Sequence, residues 1–231
     1  MIADQNLREQ VLQQVRAEII SGQSVPGTMY SVPSLALSLG VSTTPVREAL
    51  LELTRTGLIE PMRNRGFKVV APTLRELHNV FELRGVVEPH AAAMVAHRAP
   101  HELDDLYPLA DEVARAVEKE DVREYLESDR RFHSAFNTLA NNEILTETIM
   151  GLRDKMRLYG ISSSAGIDRQ RQSVAEHYRI IELAKSGEAE ILKNLMRQHI
   201  MTWEPIFAEA LARTMKSTAR EPLAPRRAAE R

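Results

Sequence analysis

The sequence predicts a mainly α protein, with a small mixed head followed by an all-helical bundle. Three observations carry this reading. Within residues 1–72, three short apolar stripes at helical spacing give way to two β-rich runs. After Pro72 the apolar spacing is helical throughout. Among 231 residues there is one Trp, with five Phe and five Tyr, against many Leu, Ala, Glu and Arg. At about 100–200 residues per domain, this length accommodates one large domain or two modest ones.

In the head, Leu7, Val11, Val15 and Ile19 recur every fourth residue with Leu12 and Ile20 beside them, one apolar helix face that Gly22 should stop. Val25-Pro26-Gly27 marks a turn. Leu35, Leu37 and Leu39 fit a two-turn helix ending at Gly40. Ser42-Thr43-Thr44-Pro45 opens a third helix, with hydroxyls able to cap free N–H groups and a proline in the first turn, where it breaks no hydrogen bond. Val46, Ala49, Leu50 and Leu53 form its inner face, and Gly57 ends it. Leu58–Glu60 and Phe67–Val70 read as strands joined across Arg63-Asn64-Arg65-Gly66. Three helices followed by a hairpin is the order of a winged helix-turn-helix.

Pro72 marks the boundary of this first domain, 1–72. Helices are expected near 73–98, 101–118, 121–140, 143–159, 170–185 and 188–215, forming a second domain, 73–215. Thr73-Leu74-Arg75-Glu76 is a capping box and Asp121-Val122-Arg123-Glu124 a version with Asp as cap. Pro89, Pro108 and Pro205 fall inside three helices and should kink or divide them. Asn141-Asn142, Ser162–Gly166 and Ser186-Gly187 are the clearest breaks. Residues 216–231, rich in Pro, Ala and Arg, read as a disordered basic tail.

Composition narrows the function. No run of eighteen uncharged apolar residues exists, so no membrane span is expected, and Arg8 and Glu9 interrupt any signal-peptide stretch. The absence of cysteine excludes a disulfide scaffold, thiolate zinc sites and thiol catalysis, and suits a reducing cytoplasm, the expected location. Net charge is −2, unevenly spread. Residues 1–72 hold seven Lys/Arg against six Asp/Glu, 73–211 seventeen against twenty-four, and the last twenty residues six against two. The head is therefore no basic block, and DNA binding must rest on pattern and geometry.

Thr43, Thr44 and Arg47 share the outer face of the third helix at the end that enters a major groove. Arg47 could bond a phosphate or the guanine O6/N7 edge, and the threonines a phosphate or a thymine methyl. Arg63 and Arg65 could reach a minor groove, with Gly66 allowing a tight turn and close backbone approach. Alternatively these are solvated arginines on a protein-interaction module. The run Val41-Ser42-Thr43-Thr44-Pro45-Val46-Arg47-Glu48-Ala49-Leu50, with Leu53, Gly57-Leu58-Ile59 and Arg65-Gly66-Phe67-Lys68-Val69, closely resembles the signature of the GntR family of bacterial transcription regulators. The resemblance covers about 7–70 and implies operator binding by a homodimer on an inverted repeat of double-stranded DNA. Two departures are visible: the family usually has arginine where this chain has Thr43, and Tyr30-Ser31-Val32-Pro33 differs from its acidic or polar entry to the second helix.

In the second domain, Leu126, Asp129, His133, Phe136 and Ala140 form one buried stripe. Val174, His177, Ile181 and Ala184 form another, and Leu192, Leu195, His199, Thr202 and Ile206 a third. Four polar groups thus point inward, and each unpartnered one costs roughly 1–3 kcal/mol. A divalent metal at about 2.0–2.2 Å would satisfy all four, Zn²⁺ best, with Ni²⁺, Mn²⁺, Co²⁺ or Fe²⁺ also fitting. Separate core histidines on backbone carbonyls, or Asp129 paired to a single histidine, are the alternatives.

Glu82-Leu83-Arg84 with Glu88, Asp129-x-x-Phe132-His133 with Asn142, Glu176-His177 and His199 resemble the all-helical FCD effector domain, over about 73–215. That resemblance implies that Asp129, His133, His177 and His199 hold the ion, and that a small organic acid binds nearby rather than a long-chain acyl group. It also makes Arg84 and Asn142 candidate effector contacts. Arg84 could pair a ligand carboxylate or, equally, Glu88; Asn142 could line the pocket or cap the helix from Glu143. His78, His90, His97 and His101 read as surface or packing residues. The reading is a regulator whose DNA affinity follows a carboxylate bound near the metal. Its rivals are a regulator with a purely structural metal and a metalloenzyme, for which no general base suggests itself on these stripes.

Overall fold

The computed structural model describes residues 2–20, 23–70, 73–98, 101–155 and 161–220. Helix α1 (Ile2–Ile20) buries Val11, Leu12, Val15 and Ile19, the stripe read from the spacing. Strand β1 (Met29–Tyr30) and helix α2 (Val32–Leu39) follow, and Gly40 closes α2 in the left-handed conformation. Helix α3 (Thr43–Arg55) buries Pro45, Val46, Ala49, Leu50 and Leu53 against α1. Strands β2 (Ile59–Met62) and β3 (Gly66–Val69) form the wing.

The sheet is antiparallel in the order β1-β3-β2, with Tyr30 opposite Phe67 and Ile59 opposite Val69. Pro61 is tolerated because β2 is an edge strand. β1 escapes sequence reading, since two residues carry no periodicity and the strand exists only by pairing with β3. Gly66 has φ 103°, and a Cβ there would overlap the Tyr30 carbonyl. The close approach it permits is therefore to β1.

The second domain comprises α4 (Leu74–Arg98), a 3₁₀ segment at His101–Asp105, α5 (Leu106–Glu118), α6 (Val122–Thr138), α7 (Glu143–Lys155), α8 (Ser164–Lys185), α9 (Ala189–Met201) and α10 (Glu204–Arg220). The capping box forms reciprocally: Thr73 N donates to Glu76 Oε2 at 2.7 Å and Glu76 N to Thr73 Oγ1 at 3.1 Å. Asp121 Oδ1 accepts from Glu124 N. α4 packs along α9 and also meets α7, α8 and α10, while α5 packs on α6 and α8.

Several boundaries move. The helix expected from 170 starts at Ser164, because Ser163 Oγ accepts from Gly166 N and turns the supposed break into an N-cap. The helix expected over 188–215 divides at Thr202-Trp203, and Pro205 sits in the first turn of α10. Pro108 likewise falls in the first turn of α5, and α4 runs through Pro89 as one helix. Ser42 has the extended backbone of a cap, but its hydroxyl makes no capping bond. The expected tail begins inside α10, which reaches Arg220; residues 221–231, Gly22, Pro72 and 156–159 of the fourth expected helix lie outside the described residues.

Two hydrophobic clusters result, one within Val11–Val69 and one within Leu77–Leu211, with no residue in common. Among the described residues no helix is long and apolar enough to cross a membrane.

Candidate metal centre and DNA interface

Asp129 and His133 lie one turn apart on α6, His177 on α8 and His199 on α9. Their stripes converge at one point, with one ligand atom from each within 4.8 Å of the others. His133 Nε2 is 3.2 Å from both His177 Nε2 and His199 Nε2, and Asp129 Oδ1 is 3.5 Å and 3.3 Å from the first two. Ligands bonded tetrahedrally at about 2.0–2.1 Å would lie roughly 3.3 Å apart, close to these values. The three imidazoles are buried, whereas the Asp129 side chain keeps 21% of its exposure. Phe132 closes the site from α6, its ring 4.5 Å from that of His177.

The protonation states suit a cation. Burial, reinforced by Arg153, pushes His133 well below the usual imidazole range. Burial also lowers His199 to about 4, against the pull of Glu176. Burial alone would raise the Asp129 carboxyl, but His133, His177 and Arg153 outweigh it and hold the carboxylate well below its ordinary value. Neutral imidazoles and an ionised carboxylate are the ligating forms. Glu176 Oε2 accepts from His199 Nδ1 at 2.6 Å, which leaves the His199 Nε2 lone pair facing the centre. His133 Nδ1 and His177 Nδ1 are buried with no hydrogen-bond partner among the described residues. Lone pairs and a carboxylate gathered this closely repel one another unless a cation or shared proton lies between them. The four residues could therefore hold a metal ion.

A second layer of charge surrounds the centre. Glu88 accepts from Arg84 Nε at 2.6 Å and from Arg153 Nη2 at 2.8 Å, and Arg153 Nη1 reaches Asp129 Oδ2 at 3.4 Å. Burial opposes ionisation of Glu88, but Arg153 and Arg84 hold its pKa down to about 2. Arg169 binds Glu176, the His199 carbonyl and Thr202 Oγ1. Sequence reading missed Arg153 and Arg169, whose partners lie on other helices or two turns away and leave no local signature.

A cavity of about 100 Å³ opens beside Asp129, with Arg84, Tyr125, Arg153, His199 and Trp203 in its wall. That is well below the ~300–1,000 Å³ of sites for larger organic ligands. Arg84 thus makes the Glu88 ion pair and also faces the cavity. Asn142 is exposed, and its Oδ1 accepts from Leu145 N at 3.1 Å, so it caps α7 instead of meeting the centre. His90, His97 and His101 are exposed, and His78 pairs with Glu204 at 2.6 Å.

In the head, Thr43, Thr44 and Arg47 stand exposed together at the start of α3. Arg63 and Arg65 flank Asn64, at φ 57°, on the exposed wing tip.

A winged helix whose third helix has an exposed first turn, followed by an all-helical second domain, is the architecture of a DNA-binding transcription regulator. Residues 7–69 match the model for bacterial regulatory proteins of the gntR family, and residues 79–202 match the FCD domain. The chain belongs to the FCD-containing regulators of the gntR family. It is 27% identical over 195 residues to the uncharacterized HTH-type transcriptional regulator YdhC of Bacillus subtilis, covering 83% of this chain and 85% of that one. It is likewise 27% identical to the HTH-type transcriptional regulator McbR of Escherichia coli, over 84% of this chain and 91% of that one. The solved structure of E. coli McbR/YncC shares the fold, with TM-score 0.72 at 24% identity, covering 92% of this chain and 98% of that chain.

Proposed function

We propose that this regulator is a homodimer whose affinity for an inverted-repeat operator is set by a small carboxylate bound beside a divalent metal, most simply Zn²⁺, held by Asp129, His133, His177 and His199. The convergence of four ligand atoms from three helices carries this reading. A bound ion would supply Lewis acidity and open coordination positions for a carboxylate. Asp129, the one partly exposed member, faces the cavity through which such an acid would arrive. Arg84 and Arg153 in the same wall supply guanidinium charge for the anion. Asn142 acts as a helix cap and not as an effector contact.

Thr43, Thr44 and Arg47 would enter the major groove, and Arg63 and Arg65 would hold the backbone or minor groove, with Gly66 keeping the wing on β1. An effector that binds one arrangement of the two heads better by about 1.4 kcal/mol changes operator affinity tenfold. No turnover is assigned to the site. Elemental analysis and metal titration, followed by operator binding with and without small carboxylates, test the reading. One ion per chain and an acid-dependent change in operator affinity are expected. A metal with no exchangeable position, together with operator affinity indifferent to every acid, would reduce the ion to a structural brace.

A further inference from the structure

The cavity beside Asp129 is not a property of the helical domain alone. Gln13, Arg16, Ala17 and Ile20 of α1, part of the DNA-reading head, form its far wall. Arg16 is 7% exposed, and its Nε is buried with no hydrogen-bond partner among the described residues. Its ion-pair contact is a loose one, Nη1 to Asp154 Oδ1 at 3.4 Å. Asp154 is already engaged by Arg130 through two bonds of 2.9 Å and 3.1 Å. Two guanidinium groups therefore share one carboxylate at this end of the cavity, and Arg16, one of its lining residues, keeps a buried Nε–H unsatisfied, a costly arrangement that a small side-chain shift towards an anion would relieve.

We infer that Arg16 is a second anion subsite contributed by the DNA-binding domain, so that the ligand is a short dicarboxylate bridging the two domains. This rests on the carboxylate-at-the-centre reading above and names its ligand class. One carboxylate would lie at the Asp129 end. The aliphatic middle would cross the apolar wall formed by Ala17, Ile20, Leu126 and Trp203. The second carboxylate would take the Arg16 Nε–H and neighbouring N–H donors in the bidentate fashion guanidinium favours. The two ends are linked along α7 by consecutive residues: Arg153 reaches Asp129, and Asp154 reaches Arg16. A dicarboxylate would tie α1 to the helical domain, whereas a monocarboxylate of similar length would leave Arg16 as it stands.

Trp203 is the chain's one tryptophan and lines the cavity, so its fluorescence reports occupancy. The zinc-loaded full chain is titrated with succinate and glutarate, and with butyrate and valerate as monoacid counterparts. Dicarboxylates are expected to bind at least about tenfold more tightly than the monoacids and to be the acids that shift operator affinity. Arg16→Gln should abolish that preference while leaving zinc content and monoacid binding in place. Asp154→Asn, which removes the competing carboxylate, should strengthen dicarboxylate binding selectively and serves where Arg16→Gln does not fold. Equal binding of mono- and diacids by the wild type, or a preference unchanged by either substitution, overturns the Arg16 subsite but spares the metal–carboxylate reading. Zinc binding with no acid bound at all overturns both.

Discussion

His199 donates its Nδ1–H to Glu176, whose Oε2 lies 2.6 Å away and also accepts from Arg169 Nη2 at 2.5 Å. Burial alone would raise the Glu176 carboxyl, but His199 and Arg169 outweigh it, so the carboxylate is ionised and accepts the bond. One tautomer of His199 is thereby fixed, with its free nitrogen turned to the centre.

Glu176→Gln should keep the fold and weaken metal binding by about ten- to a hundredfold, the usual effect of losing an orienting partner. Competition against a chromogenic chelator measures this. Wild-type affinity in the variant would mean that packing alone orients His199.

His177→Ala should remove the ion and, with it, the thermal stabilisation gained on adding zinc, because the remaining groups no longer close a four-ligand set. His97→Ala, on the exposed end of α4, should change neither. Melting curves with and without zinc, scored beside metal content, distinguish the two.

Glu88 links acidity to stability. Its folded pKa of about 2 lies below the unfolded value of 4.5, so its contribution is complete above about 4.5 and fades as pH falls towards 2. The shift corresponds to roughly 3 kcal/mol. Chemical denaturation between pH 6 and 2.5 should show this slope, and Glu88→Gln should flatten it. The variant should also be less stable at neutral pH, since Arg84 and Arg153 lose their shared partner. An equally steep slope in the variant would assign acid sensitivity to other carboxylates.

The convergence of the three stripes was legible because Asp129, His133, His177 and His199 replace apolar residues at positions a helix must bury, a pattern set by local spacing. The winged helix was legible for the same reason, through Val46, Ala49, Leu50 and Leu53. What stayed hidden depends on distance along the chain. β1 exists through residues almost forty positions away, and Arg16, Arg153 and Arg169 find their partners across helices or two turns along one. The Ser163 cap was misread because a serine-rich stretch with a glycine looks like a loop until the Gly166 N–H is seen to bond it.

Arg47→Ala should weaken operator binding and lower the salt slope by about one unit if the contact is to phosphate. If the contact is to guanine, discrimination at one base pair should relax by roughly 1–3 kcal/mol. Thr43→Arg, restoring the residue usual in the family, should change base preference. Binding isotherms at several salt concentrations, with a randomised operator pool, separate these outcomes; an unaltered isotherm for Arg47→Ala would take that side chain out of the interface.

Dimerisation should depend on the outward face of α4, where Leu83 and Val86 remain 45% and 59% exposed one turn apart. Val86→Glu should move the sedimenting species from dimer towards monomer at micromolar concentration. A wild-type monomer under those conditions would remove the two-fold basis for reading an inverted repeat.

The two cores share no residue, so each half carries its own apolar interior and the halves are, in principle, exchangeable parts. What they are not free to exchange is the seam. A recombinant that joins a foreign reading head to this helical domain brings an unmatched residue to the position of Arg16, opposite Asp154 and Arg130. If Arg16 is the anion subsite inferred above, such a hybrid could fold and find its operator yet lose its response to a dicarboxylate. Along the lineage, the identity of one side chain on α1 would then record which heads and which sensors have travelled together.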